Sequence, residues 1–243
     1  TQDNLNDKIA SEVGAINDAL NTLADINDKI RTQSGTPNNL YDRQSRTLDE
    51  LSERIGIKVF EQSNGTVEVH TSSGFALLIG DTPKQLTVAP DTNGQFQVLG
   101  TDGGGTHNLS TKITSGSLGG VLHARNVDLQ DAIDRLDTFT TNFANAVNGI
   151  HAAGFGLDGV SGRNFFDFAA GAGAAEGISV SIDIAGNPGS IAAAGSDVLL
   201  PGDNSNALLL SDLRHTALVG TENAVENLRN VLSDFGARVY DAH

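Results

Sequence analysis

The stretch NLNDKIASEVGAINDALNTLADINDKIRT, residues 4–32, carries the apolar pattern that decides the fold of this 243-residue chain. Its apolar residues recur every seven positions, at Ile9, Ile16, Leu23 and Ile30. The offset positions between them are Val13, Leu20 and Asn27. Alternating steps of four and three are typical of helices packed nearly parallel in a bundle or coiled coil. The pattern predicts one helix of roughly 40 Å, in which a buried amide at Asn27 sets the packing register.

Three later segments show related helical stripes. Residues 38–55 have apolar residues at spacings of three and four, including Leu51, and end before Gly56, a good helix stop. In residues 117–150 the seven-residue repeat returns, with Leu129, Leu136, Phe143 and Ile150. The end of the chain carries the stripe Leu228, Leu232 and Phe235. These seams predict helices that pack against each other or against helices outside this chain.

Between the helices the apolar period changes to two. Residues 57–116 contain short β-branched runs separated by turn dipeptides such as Asn64-Gly65, which predicts a small antiparallel β-unit. Residues 154–202 are rich in glycine, with one strand candidate at 178–184. The predicted fold class is α+β, a discontinuous long-helix bundle with inserted small antiparallel β elements. The bundle domain would comprise residues 1–56, 117–153 and 203–243.

Charge and composition exclude several classes of function. The chain has 15 basic and 30 acidic residues, a net charge of −15, and its cations form no stripe. We therefore expect no nucleic-acid partner and no anionic membrane partner. Cysteine is absent, which removes disulfides, thiol catalysis and cysteine zinc sites. The six histidines show no metal-ligand spacing, so we predict neither a metal nor a cofactor.

Two groups of charged residues could carry chemistry. Residues 42–50 hold a dense set of acids and arginines, but most of these lie off the apolar stripe and are typical of a solvated helix face. The glycine-rich zone holds four aspartates: Asp158, Asp167, Asp183 and Asp203. Paired carboxylates hydrolyse sugar chains in many enzymes, so a secreted carbohydrate-active enzyme stays open as an alternative.

Four blocks of the chain resemble, in the same order, blocks of one known protein family. The segment PNNLYDRQSRTLDELSERIGIKV, residues 37–59, resembles a family block at Pro37, Asn38, Leu40, Asp42, Leu51 and Ser52. GSLGGVLHARN (116–126) and FANAVNGIHAAGFGLDGVSGRNFF (143–166) are similar to two further blocks. GDNSNALLLSDL, residues 202–213, resembles a fourth through Gly202, Asp203 and Asn204.

Together the four blocks resemble the family of flagellar hook-associated junction proteins of the FlgK type. The resemblance implies a structural adaptor without catalysis. Such a protein would be exported through the flagellar secretion apparatus and would join hook to filament outside the cell. Its partners would be the hook protein, the second hook-associated protein and copies of itself in a ring. The chain would be the middle of a longer protein, monomeric in solution without the terminal segments. Flagellin or another axial protein of the flagellum stays open as a near alternative.

Overall fold

Seven α-helices alternate with short strands in the part of the chain that the structure describes. This computed structural model describes residues 2–32 and 38–241, without the side chains of residues 2, 235 and 237–241. The helices are α1 (Gln2–Thr32), α2 (Asn38–Arg54), α3 (Gly116–His123), α4 (Leu129–Ala153), α5 (Ala174–Gly177), α6 (Ser205–Asp212) and α7 (Ala224–Asp241). The chain divides into two compact units, Thr1–Val127 and Asp128–His243.

All strand pairs in the described residues are antiparallel. Unit 1 holds β1 (Ile57–Glu61), β2 (Val67–Thr71), β3 (Ala76–Ile79), β4 (Thr82–Pro83), β5 (Leu86–Pro90), β6 (Phe96–Asp102) and β7 (Gly105–Asn108). They form a four-stranded sheet of order β1-β2-β3-β4 and a three-stranded sheet of order β5-β6-β7. Unit 2 holds two hairpins, β8 (Phe166–Phe168) with β9 (Ile178–Val180) and β10 (Ala217–Val219) with β11 (Glu222–Asn223). Long helices with small antiparallel sheets confirm the predicted α+β class.

The core of unit 1 is built on the apolar stripe of α1. Ile9, Ile16 and Leu23 are fully buried there, among apolar side chains of α2, α3 and the strands. Ile30 lies in a smaller cluster with Leu40 of α2. The stripe therefore packs against strands as well as helices, because an apolar helix face is satisfied by any complementary apolar surface.

Three asparagines fix the strands of unit 1 to α1. Asn6, Asn17 and Asn27 are 11 and 10 residues apart, about three helical turns each, so they share one face. The Asn17 amide nitrogen donates to Leu86 O at 2.8 Å, and Leu86 N–H donates to Asn17 Oδ1 at 2.9 Å. Asn6 bonds Gly94 O and Phe96 N in the β5–β6 hairpin. Each amide thus replaces a missing strand partner with one donor and one acceptor.

Asn27 makes the most buried of these contacts, with 1% of its surface exposed. Its amide donates to Val67 O at 2.8 Å and to Gly80 O at 2.6 Å, and its Oδ1 accepts from Val67 N–H at 3.0 Å. The sequence predicted a buried amide that sets the register of helix packing. In the structure the amide bonds mainly to backbone groups of Val67 and Gly80. It therefore fixes where the start of β2 and the end of β3 lie against α1.

A buried carboxylate joins the three helices of unit 1. Glu12 of α1 accepts from Arg54 of α2 at 3.0 Å and from the Ser117 hydroxyl of α3 at 2.7 Å, and it pairs with Lys8 at 3.4 Å. Burial acts to raise the pKa of Glu12, but the hydrogen bonds from Ser117, Arg54 and Lys8 outweigh it and hold the pKa below its usual value. The charged form of Glu12 is therefore part of the folded unit.

The helix predicted at 117–150 is observed with a π-helical turn inside it. Residues Ala124–Asp128 adopt this turn between α3 and α4. Arg125 in the turn is buried and donates to Phe96 O of β6 and to Asn126 Oδ1. A wider turn lets one side chain leave the regular helical spacing, which the seven-residue pattern could not indicate.

Unit 2 differs from expectation in three local details. The strand candidate at 178–184 is shorter, with only Ile178–Val180 in β9. The hairpin of β10 and β11 lies within residues 203–243, which the sequence assigned to the helical bundle, and Gly220 has φ +58° in its turn. Consequently α7 begins at Ala224, where Asn223 Oδ1 accepts from Val225 N–H and Glu226 N–H as a cap. The three-part bundle domain 1–56, 117–153 and 203–243 stays a prediction.

Candidate functional site: an assembly surface

The seam residues of α1 and those of unit 2 differ in burial. Leu129, Leu136, Phe143 and Ile150 of α4 are half-buried. On α7, Leu228 is 37% exposed and Leu232 is 60% exposed. The Phe235 side chain lies outside the described residues. The role of the seam residues in holding a bundle stays a prediction.

An open apolar groove runs between α4 and α7 in unit 2. Its volume is about 590 Å³, and its apolar lining comes from Phe139 of α4 and from Ala224, Val225, Leu228 and Leu232 of α7. Val225 is 58% exposed, so the outer face of α7 offers a row of aliphatic side chains at helical spacing. Such a row is the usual docking face for another helix.

The family-resembling segment at 37–59 has a structural role in α2. Leu40 and Leu51 are buried, at 6% and 0% exposure, and face the cores of unit 1. Asn38 and Asp42 are exposed, and the Ser52 hydroxyl donates to Asp49 O at 2.8 Å within the helix. Pro37 lies outside the described residues. The charges of this segment therefore lie mostly on the outer face of a helix.

The family-resembling block at 202–213 surrounds a helix start. Gly202 and Asn204 are exposed, and Asn204 immediately precedes α6. The Asp203 carboxylate accepts from four groups: Gly195 N–H, Ser196 N–H, Ser205 N–H and the Ser205 hydroxyl. Hydrogen bonds from Ser205 and from these backbone groups hold the pKa of Asp203 below its usual value. Its oxygens are thus occupied in organising the loop before α6.

Two acids of the glycine-rich zone, Asp158 and Asp203, are engaged in structural contacts. Asp158 forms a two-bond ion pair with Arg163, at 3.1 and 2.7 Å, and this pair lowers the pKa of Asp158. Asp203 is engaged by the loop before α6, so two of the four candidate acids have structural partners. In the described part of the chain no group of three or more histidine, aspartate or glutamate side chains is placed to hold a metal ion.

His151 is a buried anchor that sequence reasoning did not single out. It is fully buried at the end of α4, where Ala192 N–H donates to Nε2 at 3.0 Å. Its Nδ1 lies 2.8 Å from Arg163 O, so Nδ1 carries the proton of a neutral ring. The ring also meets Phe165 edge-on at 5.4 Å between centroids. One side chain thereby joins α4 to two distant parts of the glycine-rich segment.

Asn148, one turn before His151, bonds strand backbone in the same way as the three asparagines of α1. Its amide donates to Phe166 O at 2.9 Å, and its Oδ1 accepts from Phe165 N–H and Phe166 N–H. Asn206 of α6 donates to Ala192 O at 2.6 Å. In both units, asparagines on helices bind the backbone of β or irregular segments.

No described helix is long and apolar enough to cross a membrane.

Comparison with known proteins agrees with this architecture. The model of the flagellar hook-associated protein FlgK helical domain matches residues 1–166. Flagellar hook-associated protein 1 of Escherichia coli K12 is 33% identical over 171 residues, which cover 67% of this chain and 31% of the relative. The Bacillus subtilis protein of the same name is 27% identical over 198 residues, covering 70% and 39%.

A solved structure is also similar. The flagellar hook junction protein FlgK of Burkholderia pseudomallei has a TM-score of 0.63 and 29% identity, covering 70% of this chain and 32% of that protein. The chain thus spans about a third of the length of these relatives. Because the family match covers more than half of its residues, the chain belongs to the FlgK family of flagellar hook-associated proteins through the family's helical domain.

Proposed function

We propose that this chain is part of a structural adaptor that joins the flagellar hook to the filament and catalyses no reaction. The observation that carries the proposal is the match to the FlgK helical domain over residues 1–166. The solved relative from Burkholderia pseudomallei is described as a flagellar hook junction protein. Its place of work would be outside the cell, after export through the flagellar secretion apparatus.

The construction of unit 1 supports a mechanical role. A helix of 31 residues is braced by the asparagine contacts at Asn6, Asn17 and Asn27, which lie along most of its length. A helix fixed to sheets at three levels resists bending more than a helix held at its ends. A junction between a curved hook and a stiff filament requires subunits that transmit force without deforming.

The exposed apolar face of α7 is the surface that we assign to contacts within the assembly. Val225, Leu228 and Leu232 are too exposed to contribute a full core in the chain as it stands. Their burial against another helix would be worth about 25 cal/mol per Å² of apolar surface. The partners of the whole protein would be the hook protein, the second hook-associated protein and further copies of itself in a ring.

Deletion of the full-length gene in a motile source strain tests the proposal. We expect cells that carry hooks without filaments and release flagellin into the medium, with filaments restored by the wild-type gene. Electron microscopy of the cells and immunodetection of flagellin in the medium give the two readouts. Normal filaments on the deletion strain would exclude a junction role.

A further inference from the structure

Strand β1 forms one edge of the four-stranded sheet of unit 1. Gln62 N–H donates to Thr66 O, and Ser72 N–H donates to Gly56 O. The backbone N–H and C=O groups of the even-numbered residues of this strand therefore point toward β2. Backbone groups alternate in direction along an antiparallel strand. The N–H and C=O groups of Ile57, Val59 and Glu61 therefore point away from the sheet, and within the described residues no hydrogen bond reaches them.

The neighbouring edges of unit 1 are short, polar or covered. Asn17 occupies both backbone groups of Leu86 at the edge of β5. The opposite edge of the four-stranded sheet is β4, which has two residues and ends in Pro83. Strand β7 has the polar sequence GTHN. Short edges, proline and covering groups are the usual protection against unwanted strand pairing.

Strand β1 is five residues long, contains no proline and exposes apolar side chains beside the charged residues Lys58 and Glu61. Val59 is 38% exposed and Phe60 is 49% exposed. A five-residue edge with free backbone groups and apolar side chains accepts one kind of partner well, namely another extended strand.

We propose that β1 pairs with β1 of a second copy of this chain, antiparallel and centred on Val59. A residue whose backbone groups point away from the sheet must pair with a residue of the same kind in the second copy. The possible registers therefore differ from one another by two residues. With Val59 opposite Val59, all five residues of β1 pair with the second copy. A shift by two in either direction pairs only three residues within the strands.

The side chains favour the same register. Lys58 then lies opposite Phe60 of the second copy, where its ammonium group can contact the aromatic face. The register shifted toward the start of the strand would set Lys58 opposite Lys58, and like charges directly opposite are destabilising. On the other face of the sheet, Val69 and Val59 of one copy would lie beside Val59 and Val69 of the second copy. These four side chains would form one apolar row.

The pair would be weak and limited to two copies. Single-strand pairing buries far less than the roughly 1,200 Å² of a stable interface, so a dissociation constant on the order of 1 mM is expected. The two-fold contact is isologous and closes after two copies, so it is distinct from a ring contact. It is compatible with a monomer at micromolar concentration.

Small-angle scattering of the purified chain from 0.05 to about 2 mM tests for the pair. We expect the apparent mass to rise with concentration toward that of a dimer. Val59→Pro removes the central outward N–H without touching the bonds to β2, and should raise the dissociation constant at least about tenfold. Thr106→Pro is the matched control, because it removes an outward N–H from the β7 edge. Circular dichroism verifies that both variants are folded.

A charge-swap experiment tests the register and does not depend on proline. Val59→Lys alone and Val59→Glu alone should stay monomeric, because each places like charges together at the two-fold axis. An equimolar mixture should pair at least as tightly as the wild type. A constant monomer mass up to about 2 mM, equal weakening by Val59→Pro and Thr106→Pro, or a mixture that stays monomeric would each overturn the proposal. None of these outcomes affects the proposed junction role, which the deletion strain tests separately.

Discussion

The side-chain amide of Asn17 bonds both backbone groups of Leu86, with N–O distances of 2.8 and 2.9 Å. Leu86 begins β5 and is 2% exposed, so its backbone groups have little access to water. Helix α1 therefore supplies a polar partner that a strand would otherwise supply. The same arrangement recurs at Asn27 with Val67 and at Asn148 with Phe166.

Replacement of Asn17 by alanine should destabilise unit 1 by about 1–3 kcal/mol, because a buried N–H and a buried C=O lose their partner. Urea unfolding followed by circular dichroism measures the loss. Hydrogen exchange should also accelerate at Leu86 N–H by at least about tenfold. Asn21→Ala is the control: Asn21 lies on the same helix, is exposed and accepts a hydrogen bond from the Gln85 side chain. A loss of unfolding free energy in Asn21→Ala as large as that in Asn17→Ala would contradict this role of Asn17.

Glu12 should make the stability of unit 1 depend on acid pH. Its folded pKa lies below the unfolded value of about 4.3, so its contribution is present above that value and is lost as the pH falls through the folded pKa. Glu12→Gln should cost about 1–3 kcal/mol at pH 7 and flatten the fall in stability below about pH 4.3. Urea midpoints from pH 2 to 7 give the comparison with Glu50→Gln, an exposed acid on α2. Parallel pH profiles of wild type and Glu12→Gln would refute the assignment.

His151→Leu should destabilise unit 2 by about 2–4 kcal/mol, because the substitution leaves Ala192 N–H and Arg163 O unpaired in a buried site. Protection from hydrogen exchange should fall first at Ala192. Replacement of His107, whose side chain is 41% exposed, in the same way should produce a much smaller change. Nitrogen-15 NMR of the wild type provides an independent measurement, with the proton expected on Nδ1. A proton on Nε2 would be incompatible with the bond from Ala192.

Leu228→Asp combined with Leu232→Asp in the full-length protein should prevent filament growth and leave the fold intact. Both positions are exposed in the structure, so the change removes an outer apolar face without opening a cavity. Electron microscopy of cells that express the variant counts filaments per hook, and circular dichroism of the purified protein tests folding. Val198→Asp, at an apolar position that is 84% exposed, is the matched control. Filaments of normal number with the double variant would exclude this face from assembly.

Periodicity predicted much of the fold because burial of apolar side chains sets the period of each element. Ile9, Ile16 and Leu23 identified the buried face of α1, and alternation within residues 57–116 predicted antiparallel strands. Sequence blocks also identified the family, because the resemblance depends on residue order and not on contacts. The exposed face of α7 was visible as a stripe, although the stripe could not indicate that it would stay uncovered.

The amino-acid sequence by itself determined the long helices, the antiparallel strands and the absence of thiol chemistry, all of which follow from local residue spacing and composition. Only the tertiary structure decided what the polar residues do. Asn17 bonds Leu86, 69 residues away, Glu12 bonds Ser117, 105 residues away, and His151 bonds Ala192, 41 residues away. No local pattern encodes such a distance. The physical reason is that a buried amide, carboxylate or imidazole is stable only beside a partner brought to it by folding.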